Sequence, residues 1–250
     1  ESEGFDRDDM KHPVGHLRMI KAVVSANPNT VVVLLCGSAV ECPWADEVKA
    51  VLYMGLPGQA GGEAAAELLY GRISPSGKLA ESWPYTYEDV PSSEIYGKTA
   101  DALYQEGVYV GYRYYDKADV PVRWPFGYGL SYTEFSYSDL TVNGDTVSVT
   151  VRNTGAFAGA EVVQLYMEAP QDGLHRPLRE LRGFQKIFLQ PGENRTVHFT
   201  LTGRSFAIWQ DGWKIPAGTY AVCVGGLRAE MKKNGDVLRV PAWQKDSWYA

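Results

Sequence analysis

The chain has 250 residues, of which 45% are hydrophobic and 22% charged, and its formal net charge is -6. That length is too great for a disulfide-stapled mini-domain and suits one large or two ordinary domains, and the composition excludes disorder. No apolar run approaches the roughly 20 residues of a membrane helix, and an acidic chain without a basic patch is unsuited to nucleic acid. Three cysteines, Cys36, Cys42 and Cys223, form an odd set without metal-ligand spacing, which leans toward a reducing compartment such as the cytoplasm. Many Gly and Pro residues beside 16 Tyr, 8 Phe and 7 Trp point to tight turns and ring-lined surfaces. The sequence opens at Glu1 without an initiator Met or a leader, so a piece of a longer polypeptide is expected.

The first eighty residues read as α/β. Leu17, Ile20, Val23 and Val24 fall at helical spacing within 16–26, and Asn27-Pro28-Asn29 stops the helix. Thr30 to Cys36 is a continuous β-branched and aliphatic run, the pattern of a strand buried on both faces of a parallel sheet. A second apolar run, Val48 to Tyr53, precedes Gly58-Gln59-Ala60-Gly61-Gly62, which opens a helix ending near Gly71. Residues 1–83 are therefore expected to form an incomplete α/β layered sandwich. Over 84–132 the periodicity fails in a stretch rich in Tyr, Pro and Gly, which is expected to pack between domains. From 133 to 240, short strands at 146–151, 162–167, 183–189, 194–201 and 218–224 alternate with Gly- and Pro-bearing turns, predicting an antiparallel β-sandwich. Residues 241–250 read as a tail or as the start of a further segment.

Candidate chemistry is sparse. The densest carboxylate cluster is Glu1-Ser2-Glu3-Gly4-Phe5-Asp6-Arg7-Asp8-Asp9, either a solvated loop or a site where like charge raises one carboxyl's pKa. Arg7, next to Asp6 in sequence, is expected to pair with it and hold the loop rigid. His12 and His16 are four apart, but Pro13 and Gly15 between them argue against a shared helical face, and no metal is implied. The Gly58–Gly62 stretch lacks the Lys-Ser/Thr pair of a phosphate loop, so close helix packing explains it better than nucleotide binding. The rings of 109–128 are either a sugar-stacking platform, with Tyr112 and Trp124 as its test positions, or filling for a joint. Arg176, Arg179, Arg182 and Lys186 read as a solvated basic face.

Several of these stretches together resemble one family. Glu3-Gly4-Phe5-Asp6-Arg7, Pro57 to Gly62, Ser74 to Leu79 leading to Trp83-Pro84, Glu106 to Tyr115 and Pro125 to Thr133 occur in the order found in the C-terminal part of glycoside hydrolase family 3 β-glucosidases. Arg176 to Phe184 and Leu189 to Glu193 are similar to that family's fibronectin type III-like domain.

The resemblance implies an α/β sandwich followed by a fibronectin type III-like β-sandwich, in an enzyme whose catalytic barrel is a separate part. It also implies a retaining mechanism that releases terminal non-reducing β-D-glucosyl residues with two carboxylates. By the motif, Glu3 is the general acid/base, Glu1 the fallback, and Asp6 and Arg7 brace the loop. The Ser-Asp-Trp segment carrying the family's nucleophile and the Lys-His pair of its sugar pocket are absent from this sequence, so this chain alone is expected to be inactive. The implied partners are a β-glucoside or oligosaccharide and the barrel, which in some members follows the sandwich; no cofactor is implied. A homo-oligomer is compatible with this reading. The alternative is a non-catalytic carbohydrate-binding or structural module.

Overall fold

The computed structural model describes residues 4–5, 7–98 and 100–238. The chain divides into two compact units, Glu1–Leu130 and Ser131–Ala250. An α/β unit followed by an antiparallel sandwich is the architecture the sequence predicts.

In the first unit, helix α1 (Val14–Ala26) starts two residues earlier than its apolar spacing indicates, directly after Pro13. Its last turn gives way to extended backbone at Asn27, where Pro28 follows. Ile20 is buried, and Leu17 and Val24, one turn away on the same face, pack on the unit's core, whereas Val23 is exposed. Strand β1 (Val31–Leu34) pairs in parallel with β2 (Ala50–Tyr53), in register from Val31↔Ala50 to Leu34↔Tyr53. Burial on both faces is not reached: Leu34 is buried but Val31 and Leu35 are exposed. Among the described residues each of these strands has a single partner, so flanking layers cover only part of the pair.

Helix α2 (Gly61–Leu69) follows the glycine-rich stretch. A Cβ on Gly61 would lie 2.6 Å from the Pro57 ring, so the stretch serves close packing at the helix start. Strand β3 (Trp83–Pro84), helix α3 (Tyr112–Ala118) and strand β4 (Val122–Trp124) complete the unit, with β3 and β4 antiparallel. Trp83, 1% exposed, meets Tyr53 and Trp124 edge-on at centroid distances of 5.1 and 5.5 Å. Around it lie Met10, Leu34, Val40, Cys42 and Trp44. The described part of 84–130 therefore folds with the first unit through short elements that show no readable period.

The second unit is a β-sandwich. Strand β5 (Phe135–Asn143), β6 (Thr146–Asn153), β7 (Gly159–Glu168), β8 (Glu180–Leu189) and β9 (Asn194–Thr200) precede a helical turn α4 (Gly203–Phe206). Then come β10 (Ile208–Trp209), β11 (Trp213–Ile215), β12 (Gly218–Val224), β13 (Leu227–Lys233) and β14 (Asp236–Val237). One sheet has the order β5-β6-β9, the facing one β13-β12-β7-β8, and a small third sheet the order β10-β11-β14.

Alternation along β6 and β7 sends Val147, Val149, Val151, Val163, Leu165 and Met167 inward, where they meet Val222, Val224 and Phe199. The β12–β13 hairpin turns through Gly225 and Gly226, both at positive φ, and the Tyr137 ring occupies the space a Cβ on Gly225 would need. All five sandwich strands read from the sequence are present. Five others, β5, β10, β11, β13 and β14, are additional.

Candidate functional site

Three segments of the first unit are tied together around Arg7. Arg7 lies three residues before the core residue Met10, whose carbonyl accepts the Glu41 amide at 2.8 Å. Its Nη2 donates to Ser38 Oγ at 2.6 Å and to the Ala39 carbonyl at 3.1 Å. On the other side of this turn the Ala39 amide donates to Glu81 Oε1 at 2.9 Å. Glu41 Oε1 accepts the Tyr87 amide at 3.1 Å, which draws in the segment after Trp83.

The turn at 37–39 exists because β1 ends at Leu34 and Gly37-Ser38 redirects the chain; Ala39, Val40 and Cys42 then enter the core. Arg7 and Glu81 thus flank one backbone turn with opposite charges. Partial burial raises the Glu81 pKa, while the Ala39 amide and the Arg7 charge act in the opposite direction. The arrangement ties Arg7 to the turn that follows β1. Phe5 in that loop is 82% exposed.

Arg7 is the one predicted site residue with described contacts, and those contacts are to Ser38 and Ala39. Glu1, Glu3 and Asp6 lie outside the described residues. Glu81 is a contributor that the sequence reading passes over: nothing local separates it from a surface glutamate, and only its place just before the buried Ser82-Trp83-Pro84 run marks the segment as anchored.

Other candidates are now placed. His12 precedes α1 and packs on Trp44 at 5.8 Å between ring centroids, so it shares no helical face with His16. Burial, helped by the His16 charge, lowers its pKa. Burial also pushes the Cys42 thiol up to about 12, so it stays protonated and unreactive. Among the described residues no group of three His, Cys, Asp or Glu is arranged to hold a metal ion. Tyr112 stacks on Phe126 at 4.7 Å, and Trp124 meets Trp83, so these rings are engaged within the first unit. Two of the motif stretches also meet: the Leu79 amide donates to the Tyr128 carbonyl, the Gly127 amide to the Leu79 carbonyl, and Lys78 Nζ to the Gly129 carbonyl. The basic run differs from its solvated-face reading, because Arg176 is 4% exposed and Arg179 lies over the Tyr166 ring.

Residues 1–112 match the glycosyl hydrolase family 3 C-terminal domain, and residues 161–227 match a fibronectin type III-like domain. Thermostable beta-glucosidase B of Acetivibrio thermocellus is 46% identical over 237 residues, covering 90% of this chain and 31% of that protein. An exo-alpha-(1->6)-L-arabinopyranosidase of Bifidobacterium breve is 44% identical over 235 residues, with the same two coverages. The crystal structure of a GH3 beta-glucosidase from Bifidobacterium adolescentis superposes with a TM-score of 0.90 at 40% identity, covering 100% of this chain and 39% of that one. The chain spans about three-tenths of the length of the curated relatives it matches. With the α/β unit and the sandwich in this order, the chain belongs to glycoside hydrolase family 3 and carries that family's C-terminal domain followed by its fibronectin type III-like domain.

Proposed function

We propose that this chain supplies the acid/base half of a retaining β-glucosidase acting on terminal non-reducing β-D-glucosyl residues. Glu3 protonates the leaving oxygen and later activates water; Glu1 is the second candidate for that role. The nucleophilic Asp belongs to a barrel outside this sequence, and the two carboxyl groups meet about 5–5.5 Å apart, as double displacement requires. The observation carrying this reading is the family match across residues 1–112, which includes the Glu3-Gly4-Phe5-Asp6-Arg7 motif. The anchoring of Arg7 supports it: Glu3 is four residues away, a span of at most about 14 Å of extended chain, so the Ser38–Ala39 turn confines the loop that carries it. Arg7, together with Asp6, is a positioning residue.

The name of the arabinopyranosidase relative, at an identity close to that of the glucosidase, fits a division of labour in which the barrel selects the sugar and this chain supplies proton transfer. The test is Glu3→Ala in the full-length enzyme that contains this chain and its barrel. Turnover of an alkyl glucoside is expected to fall by about 10²–10⁴, with a smaller loss in the first step for an aryl glucoside with a good leaving group. Added azide should restore part of the turnover. Unchanged kinetics would remove Glu3 from the role, and a loss confined to Glu1→Ala would transfer it to Glu1.

A further inference from the structure

Glu81 stands at the margin of the first unit's core. It directly precedes Ser82 and Trp83, which are 7% and 1% exposed, and Trp83 pairs with Trp124 across β3 and β4. From there its Oε1 accepts the Ala39 amide at 2.9 Å. The Ala39 carbonyl accepts Arg7 Nη2 at 3.1 Å, and Ser38 Oγ accepts the same nitrogen at 2.6 Å. Both backbone polar groups of one residue, itself 5% exposed, are thus held by side chains of opposite charge from two distant segments.

The two contacts are coupled through Ala39. Without the Glu81 carboxylate the Ala39 N–H loses its acceptor, and an unpaired buried N–H is costly enough to turn the segment toward water. That movement carries Ser38 Oγ and the Ala39 carbonyl, the two acceptors of Arg7, away from the guanidinium. The charges of Glu81 and Arg7 also attract each other directly, opposing the effect of burial on the Glu81 carboxyl. Arg7 in turn is four residues from Glu3 in the motif.

We propose that Glu81 is a positioning residue for the acid/base: it sets the turn that anchors Arg7 and, through Arg7, the loop that carries Glu3. The inference rests on the reading of Glu3, or of Glu1 in its place, as the proton donor. A misplaced donor slows the departure of an alkoxide, which needs a proton, and spares that of a dinitrophenolate, which does not. The test is Glu81→Ala in the full-length enzyme that contains this chain and its barrel, read as kcat/KM, which reports the step in which the leaving group departs. An alkyl glucoside is expected to lose about tenfold and a dinitrophenyl glucoside no more than about twofold. Glu81→Gln keeps an oxygen for the Ala39 amide and should recover most of the alkyl glucoside activity. Should Glu81→Ala fail to fold, Glu81→Asp, one methylene short of the amide, is read in the same way. An equal loss on both substrates, as a purely structural contact would give, or no loss on either, would overturn the proposal. Glu3→Ala and Glu1→Ala are measured alongside. If neither of them discriminates between the two substrates, it is the acid/base reading that fails, and the role of Glu81 falls with it.

Discussion

His12 packs its imidazole against Trp44, and its Nε2 is buried without a partner among the described residues. Its pKa in the folded chain lies below the ordinary 6.5, so the unfolded chain binds a proton that the folded one refuses. The contribution of His12 to stability is therefore complete above pH 6.5 and is lost as the pH falls below that value and through the lower folded-state pKa. Melting of the first unit, followed by tryptophan fluorescence from pH 7.5 to 5.5, should drop by a few degrees, and His12→Gln should flatten that slope. Asn153 is the opposite case. Wholly buried, it donates to the Phe157 and Leu189 carbonyls and accepts from Thr133 Oγ1 and the Gly155 amide, which fills its capacity. Neither role is legible in sequence, since an Asn or His in a loop looks the same whether satisfied or orphaned. Glu81 and Arg176 escape notice for the same reason: their partners, the Ala39 amide and Asp172, are given meaning only by the fold around them.

Elements were more legible where one face is continuously apolar. β6 and β7 alternate cleanly in burial, β12 is a mostly apolar run, and the apolar spacing of α1 and the aliphatic run of β1 mark their places. β5 was hidden because Asp139 sits at positive φ and the register to β6 shifts between Ser138 and Thr141, which breaks the alternation. β13 was hidden by charge: Arg228, Glu230 and Lys232 face outward, and Arg228 pairs with Glu168 and Glu230. The hairpin between β12 and β13 is the most demanding junction. Replacing Gly225 with Ala adds a Cβ within the Tyr137 ring and a side chain at positive φ, so Gly225→Ala should cost about 2–5 kcal/mol in chemical denaturation of the second unit. Gly226→Ala, with open space around it, should cost only about 1–2 kcal/mol.

The molecule as a whole has two separate sets of buried apolar residues, one around Trp83 and one between the sandwich sheets. The second set is complete within its own unit, with Val147, Val149, Val163, Leu165, Val222 and Val224 wholly buried. Residues 131–250 produced alone should therefore fold, with far-UV circular dichroism of a β-protein and slow amide exchange at those valines; rapid exchange throughout would contradict this. The division of the chain was visible in the change from a 3.6-residue to a 2-residue period, because each period reflects how one layer buries its face.

The parallel pair β1–β2 has a practical consequence. Among the described residues this is a two-stranded parallel ribbon with Val31 and Leu35 open to water, the kind of edge to which an extended peptide can add. During purification of the isolated polypeptide, such a margin invites self-association by strand addition, which would appear as concentration-dependent oligomers in light scattering.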